Sequence, residues 1–240
     1  MQLSQFLMIK FKKIINCIQN LKFYKSYFNG VVPLFELSSL LKKISKAKTL
    51  IDVGSNKGQF ILIAKNHFPN IKIFSFEPQI DELKIQKKIL GYNKISYFNK
   101  ALGNKKKKMT LYITNRKDSS SVLEPIQLNQ KYEIKYKKKI TVERAKDILK
   151  KKNIVHPCIL KIDVQGFEME VLEGFGLLLN KIDYIILEES FKEIYNKQKK
   201  SLLIKKFLKK NNFKLIKKCN LSMLNQRPFQ QDVLYKNKYN

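Results

Sequence analysis

A short turn near residue 55 has the composition of a ligand-binding loop. Residues 52–58 have the sequence D-V-G-S-N-K-G and end an apolar run. Gly54 and Gly58 let the backbone turn sharply and let a ligand approach without a Cβ in the way. Asn56 is the residue type other than glycine that best tolerates a left-handed backbone. Asp52 adds a carboxylate that could hold a cation or a polar ligand.

A second acid follows at a spacing typical of nucleoside sites. Glu77 comes 25 residues after Asp52, at the end of the next apolar run. In nucleotide-binding folds an acid about 20 residues beyond the glycine turn accepts the ribose hydroxyls. The turn lacks the third glycine of the G-x-G-x-x-G pyrophosphate fingerprint. It therefore suits a nucleoside without pyrophosphate, such as S-adenosylmethionine, although Glu77 alone indicates only a nucleoside.

Strand and helix patterns alternate from residue 49 onward. Apolar runs predict strands at 49–53, 71–76, 95–98, 158–163 and 183–188, separated by segments with helical spacing, and two last strands at 213–217 and 232–235. Short connections between such elements imply parallel pairing through right-handed crossovers. The fold class is therefore α/β, a Rossmann-like doubly wound and mostly parallel sheet.

Two segments fall outside this alternation. Residues 1–45 form a basic amphipathic helical extension, and residues 46–240 form the domain. Residues 103–153 are lysine-rich and contain one predicted hairpin strand, at 109–114. We interpret this segment as an insertion over the sheet edge, where loops often carry substrate recognition. A variable surface excursion without a role is the alternative.

The net charge of +30 has two interpretations. It comes from 49 basic and 19 acidic residues, and only three of the basic residues are arginine. Proteins that grip phosphates usually also use arginine, whose planar fork binds phosphate bidentately. The lysine excess therefore favours a compositional bias from AT-rich coding DNA, with nucleic acid, anionic lipid or acidic glycan binding as the alternative. Three distant cysteines and two histidines predict no disulfide framework and no metal site, and a reducing, cytoplasmic location.

The N-terminal residues have helical periodicity. Apolar side chains recur at steps of three and four through residues 3–21, with lysines between them. No run approaches the roughly 20 apolar residues of a membrane span, and no secretory signal is visible. Residues 1–28 could lie on an anionic membrane surface. The simpler interpretation is a helix packed on the domain behind it.

Taken together, these motifs resemble the FkbM family of S-adenosylmethionine-dependent methyltransferases. The resemblance spans about residues 48–236, and its distinctive block is L-K-I-D-V-Q-G-F-E at 160–168. It also includes the motifs at 52–60, 75–78, 101–103 and 171–174, with Glu188, Tyr195 and the pair at 231–232. It implies S-adenosylmethionine as cofactor, contacted by Asp52, Gly54, Ser55, Asn56, Gly58, Glu77 and Ala101.

The resemblance further implies methyl transfer to oxygen, on a hydroxyl of a sugar, polysaccharide or small natural product. An attacking alcohol must lose its proton to a carboxylate or histidine within hydrogen-bond reach. Asp163 is the first candidate for that role and Glu188 the second, although Asp163 could instead cap the next helix. With Glu189 and Asp232 these carboxylates could also gather around Mg²⁺. An RNA methyltransferase or nucleic-acid-binding module, and an NAD-dependent oxidoreductase, are the alternatives.

Overall fold

The computed structural model describes residues 21–126 and 130–239. In chain order the strands are β1 (Thr49–Val53), β2 (Lys72–Phe76), β3 (Ile95–Phe98), β4 (Ala101–Leu102), β5 (Lys107–Thr114), β6 (Ile134–Glu143), β7 (Cys158–Ile162), β8 (Tyr184–Ser190), β9 (Phe213–Leu224) and β10 (Arg227–Asn237). The α-helices are α1 (Leu21–Phe28), α2 (Ser38–Leu41), α3 (Gln59–His67), α4 (Ile80–Leu90), α5 (Ala145–Ile148), α6 (Glu168–Phe175) and α7 (Ser201–Lys210).

Seven strands form the main sheet, in the order β3-β2-β1-β7-β8-β10-β9. The pairs β3–β2, β2–β1, β1–β7 and β7–β8 are parallel, and β10 runs antiparallel to both of its neighbours. Helices α3 and α4 connect the first three strands, and α6 lies in the connection from β7 to β8. The prediction of a doubly wound, mostly parallel sheet is confirmed. Strand order reverses between β1 and β7, which creates a cleft at the carboxyl ends of these strands.

Both faces of the main sheet are covered, so its central strands are almost entirely buried. Every residue of β1 and of β7 is buried. Because side chains alternate along a strand, Leu50 and Ile51 belong to two separate hydrophobic cores on opposite faces. The same alternation places Asp52 and Lys161 on the Leu50 face, where both are buried. Two charged side chains therefore lie on the same face as the hydrophobic core that contains Leu50.

The predicted insertion is more regular than its sequence suggests. Strand β6 pairs antiparallel with β5 and parallel with β4, giving a second sheet of three strands. Its lysine-rich sequence lacks hydrophobic alternation because most of its side chains are exposed. The expectation that the insertion lies over the sheet edge needs correction. Ser121 Oγ donates a 2.7 Å hydrogen bond to the Gln165 carbonyl in the turn after β7, at the middle of the sheet.

The last two strands form a hairpin that extends beyond the lengths that the sequence predicts. The apolar pattern indicated strands only at 213–217 and 232–235, whereas β9 and β10 continue to Leu224 and from Arg227. Asn225 and Gln226 both have positive φ, 50° and 61°. Two such residues are typical of the tight turn that joins twisted antiparallel strands. The outer part of the hairpin is largely exposed, so no hydrophobic alternation marks it.

The described part of the N-terminal extension packs on the domain. Phe23 of α1 is buried in a small cluster with Val31 and Leu62. The predicted helical periodicity at residues 3–20 lies outside the described residues. Within the part of the chain that the structure describes, no helix is both long and apolar enough to cross a membrane.

Candidate active site

A cavity of about 240 Å³ opens at the carboxyl ends of β1, β2, β7 and β8. Its walls come from the turn after β1, the turn after β7, strand β8 and insertion residues 116 and 118–122. Seven of the nine predicted site residues line this cavity: Gly54, Ser55, Asn56, Glu77, Ala101, Asp163 and Glu188. Asp52 and Gly58 lie directly behind its wall. The main sheet thus brings together residues that are far apart in sequence.

The turn after β1 makes a close backbone contact that only glycine permits. Gly54 has a φ of 76°, and a Cβ at this position would lie 1.9 Å from the carbonyl oxygen of Asp163. The amides of Gly54 and Ser55 donate hydrogen bonds of 3.0 and 3.1 Å to the Phe76 carbonyl. The turn is therefore fixed against the ends of both neighbouring strands. Its backbone faces the cavity without a side chain in the way.

Glu77 lies beside this turn as its spacing predicts. Its two carboxylate oxygens accept 2.8 Å hydrogen bonds from the amides of Asn56 and Gln79. Asn56 has a φ of 47°, the left-handed conformation that aims its amide at the carboxylate. Glu77 is 3% exposed, and burial raises its pKa to about 7 against the opposing effect of the amide donors. A buried carboxylate with free lone pairs suits a pair of ribose hydroxyls.

Ser55 and Gly58 stabilise the turn from behind. Ser55 Oγ lies 2.8 Å from Ser75 Oγ and accepts a 3.0 Å hydrogen bond from Gln86 Nε2. Gly58 has a φ of 83°, and a Cβ there would lie 2.8 Å from side-chain atoms of Gln86 and Leu90. Gly58 therefore lets α4 pack against the turn, which is a structural role.

Asp52 is the most deeply buried of the predicted site residues. It has no exposed surface, and neither carboxylate oxygen has a hydrogen-bond partner. Lys161 is its register partner on β7, with Nζ 3.8 Å from Asp52 Oδ1. Burial raises the pKa of Asp52 to about 6, and Lys161 opposes that rise. The alternation of Lys161 with apolar neighbours suggested a side chain that points off the sheet without a role, whereas Lys161 is buried and its K-x-D spacing places it on the same face as Asp163.

Asp163 is held in place from two sides. Its Oδ2 accepts a 3.1 Å hydrogen bond from Lys161 Nζ, and its Oδ1 accepts a 2.7 Å bond from Gln165 Nε2. Its amide donates to the Val53 carbonyl at 3.0 Å. Asp163 does not cap α6, because the residue before that helix is Phe167 and makes no side-chain capping bond. The carboxylate instead faces the cavity.

Glu188 contributes a second carboxylate to the cavity, from β8. Its Oε2 accepts a hydrogen bond from Gln230 Nε2, and its register partner on β10 is Asp232. Burial raises the pKa of Asp232 to about 6. Glu189 faces the other side of the sheet, where it accepts a 2.7 Å hydrogen bond from Tyr235 and pairs with Lys205 at 3.0 Å. It therefore cannot join a metal site with the others.

No group of three or more potential metal ligands occurs in the ranges 21–126 and 130–239. The four carboxylates that could have surrounded Mg²⁺ are divided between two faces of the sheet. The arrangement of the described residues gives no support to that idea.

Tyr195 joins the insertion to the turn after β7. Its hydroxyl lies 2.8 Å from both the Ser119 carbonyl and Gln165 Oε1. Its ring lies against Gly166, where a Cβ would be 2.9 Å away, and the φ values of Gln165 and Gly166 are 55° and 98°. The motif pattern included Tyr195, but its spacing did not indicate this role. The wall that can contact an acceptor is thereby tied to the turn that carries Asp163.

The residues around the cavity fit S-adenosylmethionine. The glycine turn leaves space that any Cβ would fill, as at Gly54. Glu77 places a buried carboxylate beside that turn, where it accepts a hydrogen bond from the Asn56 amide. Asp52, Asp163 and Asp232 outnumber the single cation among them, Lys161, and such an excess of acidic groups suits a cationic ligand. No third glycine is needed because this ligand has no pyrophosphate.

Two solved structures are similar to this chain at low sequence identity. A methyltransferase FkbM from Methylobacillus flagellatus KT is 13% identical, with 87% of this chain and 50% of that chain covered and a TM-score of 0.49. Magnesium protoporphyrin IX methyltransferase (ChlM) from Synechocystis PCC 6803, solved with bound SAM, is 12% identical, with 83% and 74% covered and a TM-score of 0.46. This chain spans half the length of the Methylobacillus protein.

The comparison of sequences identifies the family. No protein with a curated description matches the chain. The family model described as the methyltransferase FkbM domain matches residues 52–215, which include the glycine turn, Glu77, Asp163 and Glu188. The match covers well over half of the chain. The protein therefore belongs to the FkbM family of methyltransferases, whose cofactor is S-adenosylmethionine.

Proposed function

We propose that the protein transfers a methyl group from S-adenosylmethionine to a hydroxyl oxygen of a sugar, polysaccharide or small natural product. The observation that carries this proposal is the position of two carboxylates, Asp163 and Glu188, in the same cavity as the glycine turn and Glu77. A hydroxyl acceptor needs a proton acceptor at the reacting oxygen. The cavity offers carboxylates for that purpose.

The charge around the cavity supports a neutral acceptor. Six acidic side chains line it, against three basic ones, in a chain with 49 basic and 19 acidic residues. The acidic ones are Glu36, Glu77, Asp118, Asp163, Glu188 and Asp232. All three basic ones have acidic partners: Lys100 pairs with Glu143, Arg116 with Asp118, and Lys161 with Asp163 and Asp52. Such a cavity disfavours a polyanion such as RNA, in spite of the overall charge of +30.

The residues of the cavity have different roles in methyl transfer. S-adenosylmethionine supplies the methyl group when it is bound. Glu77 accepts hydrogen bonds from the ribose hydroxyls, and the turn at Gly54 lets the ligand approach the backbone. Asp163 accepts the hydroxyl proton as the acceptor oxygen attacks, because its carboxylate lines the cavity and is held there by Lys161 and Gln165. Glu188 orients the acceptor from the neighbouring strand β8.

The proposal is tested by offering the purified protein S-adenosylmethionine with a panel of neutral glycans, acidic glycans and RNA. Mass spectrometry would detect a gain of one methyl group. We expect methylation of a neutral glycan or another hydroxyl compound. Asp163→Asn should lower kcat by roughly 10²- to 10⁴-fold, the usual contribution of a general base, while S-adenosylhomocysteine still binds in calorimetry.

Asp147→Asn is the matched control. Asp147 is an exposed aspartate whose carboxylate pairs with Arg144 next to α5, away from the cavity, so its variant should keep the wild-type rate. Methylation of RNA with no turnover of any hydroxyl compound would reject the proposal. An Asp163→Asn variant with unchanged kcat would remove Asp163 from the mechanism.

A further inference from the structure

Lys161 is a buried cation at the centre of the candidate site. It is 4% exposed. Its Nζ lies 3.1 Å from Asp163 Oδ2 and 3.8 Å from Asp52 Oδ1, and 6.0 Å from the centre of the Phe60 ring. A lysine out of water is destabilising unless it is paired. The partners of Lys161 must therefore offset the cost of burying its charge beside the cavity.

The carboxylates around Lys161 keep it charged. Burial acts to lower the pKa of Lys161, but the attraction of Asp163, Asp52 and Asp232 raises it above its usual value. The ammonium thus has no tendency to act as a base. Other acidic groups that face this cluster or its immediate neighbours are Glu36 ahead of α2, Glu77 after β2, Glu168 at the start of α6 and Glu188 on β8.

We propose that Lys161 is a positioning residue for methyl transfer, which aligns the Asp163 carboxylate with the acceptor and balances the charge of Asp52 beneath the cofactor turn. This proposal rests on the role proposed for Asp163. Lys161 holds Oδ2 of that carboxylate from within the sheet, and Gln165 holds Oδ1 from the turn that Tyr195 fixes. Two donors from different elements leave the carboxylate a single orientation.

The geometry also explains why Asp52 can remain unbonded. Its oxygens have no hydrogen-bond donor, so Lys161 is the charge that opposes its burial. Lys161 lowers and Asp163 raises the pKa of Asp52. Loss of the lysine would leave Asp52, Asp163 and Asp232 as a group of like charges in the interior. These groups would repel one another, and Asp52 and Asp232 would take up protons at higher pH.

Removal of the cation tests the proposal. In Lys161→Met, NMR titration of ¹³C-labelled aspartate carboxyls should move the pKa of Asp52 upward from about 6 by about one unit or more, the effect of losing an opposite charge at this range. With the best neutral glycan of the panel above, kcat should fall roughly hundredfold, as misplacement of a reacting group does. The acid limb of the kcat–pH profile should move to higher pH, with KM for the glycan little changed.

Two further variants separate charge from shape and from folding. Lys161→Arg keeps the charge, so Asp52 should titrate near its wild-type position and kcat should fall less than in Lys161→Met. If Lys161→Met does not fold, the double variant Asp52→Asn/Lys161→Met replaces it, because it removes one acid together with the cation. Its kcat should still be reduced, since Asp163 is no longer held by Lys161. Lys205→Met is the matched control, because Lys205 pairs with the buried Glu189 on the other face. It should leave both the titration and the profile unchanged.

The outcomes distinguish this inference from the proposed function. An unchanged Asp52 titration together with an unchanged kcat–pH profile in Lys161→Met would overturn the role of Lys161. Methylation of no hydroxyl compound would reject the proposed function instead, and the NMR titration would still decide whether Lys161 controls the carboxylates.

Discussion

Several carboxyl groups of the site share one physical property, which is a pKa raised by burial. The pKa is about 7 for Glu77 and Glu168 and about 6 for Asp52 and Asp232. Glu168, the first residue of α6, accepts a 3.0 Å hydrogen bond from the Gly166 amide, so its carboxyl group is bonded to the turn after Asp163. Carboxyl groups with such values change charge near neutral pH, and perturbed groups of this kind cluster at functional sites. Binding and catalysis should therefore depend on pH between about 6 and 7.

Glu77 allows this dependence to be measured on cofactor binding alone. Only the ionised carboxylate accepts hydrogen bonds from both ribose hydroxyls. We expect the Kd for S-adenosylhomocysteine to rise as pH falls below about 7, approaching tenfold per pH unit. Calorimetry of Glu77→Gln should show binding at least tenfold weaker at pH 8 and a flatter pH dependence. The exposed Glu193 gives the control Glu193→Gln, and a Glu77→Gln variant with the wild-type pH dependence would contradict the assignment.

At the scale of elements, the site depends on how closely the ends of β1 and β7 approach each other. The backbone of Gly54 touches the Asp163 carbonyl, which leaves no space for a side chain. Tyr195 then fastens the insertion to the residues that follow Asp163. Cofactor turn, candidate base and acceptor wall are thus parts of one packed unit, and a change in one contact should be felt by the others.

Gly54→Ala tests this contact between elements. The new Cβ would lie 1.9 Å from a backbone oxygen that has no room to move, and the φ of 76° adds strain. We expect a loss of stability of more than about 2 kcal/mol and loss of S-adenosylhomocysteine binding. In Gly30→Ala the φ is also positive, 68°, but no atom lies within 4 Å, so only about 1 kcal/mol of strain should appear. Equal losses of unfolding free energy in the two variants, measured by urea unfolding, would show that backbone strain, and not the close contact with Asp163, causes the effect of Gly54→Ala.

Across the whole molecule, charge is distributed unevenly. The chain carries +30 overall, while its cavity is acidic. Most lysines of β6 are exposed, which fits a solvated surface. Several acids of the site, including Asp52 and Glu77, lie in the interior, where burial opposes their ionisation. The ligand-free protein therefore contains carboxylates that repel one another at neutral pH. This repulsion lowers the free energy of unfolding, although the same carboxylates form the site.

Stability should consequently fall as pH rises. The pKa of Glu77 is about 7 in the native state and 4.5 without burial, so the native state binds more protons than the unfolded state between these values. The free energy of unfolding should then decrease from pH 4.5 to pH 7, by up to about 3 kcal/mol for this group. Urea unfolding of ligand-free wild type should show this slope, and Glu77→Gln should reduce it. A wild-type stability that rises across pH 5–7 relative to Glu77→Gln would contradict the burial of a protonated Glu77.

Local sequence was sufficient for the central elements. Strands β1, β2, β7 and β8 are short apolar runs because both of their faces are buried, whereas β3, at the edge of the sheet, is only partly buried. Strand β6 and the outer part of the β9–β10 hairpin were missed, because side chains exposed on both faces leave no alternation to detect. Parallel strands end at one edge of a sheet, so the proximity of Glu77 to the glycine turn also followed from spacing.

Other features of the site depend on contacts between residues that are distant in the chain. Lys161 opposes Asp52 only because β1 and β7 pair in one register, and a shift of one residue would turn one of the two side chains to the opposite face. The acidic cavity exists only because β8, β10 and the insertion converge on it. Periodicity records which side of an element is buried, whereas pairing and packing decide what each buried side chain meets. That is why the nucleoside-binding turn was visible in the sequence and the electrostatic partner of its aspartate was not.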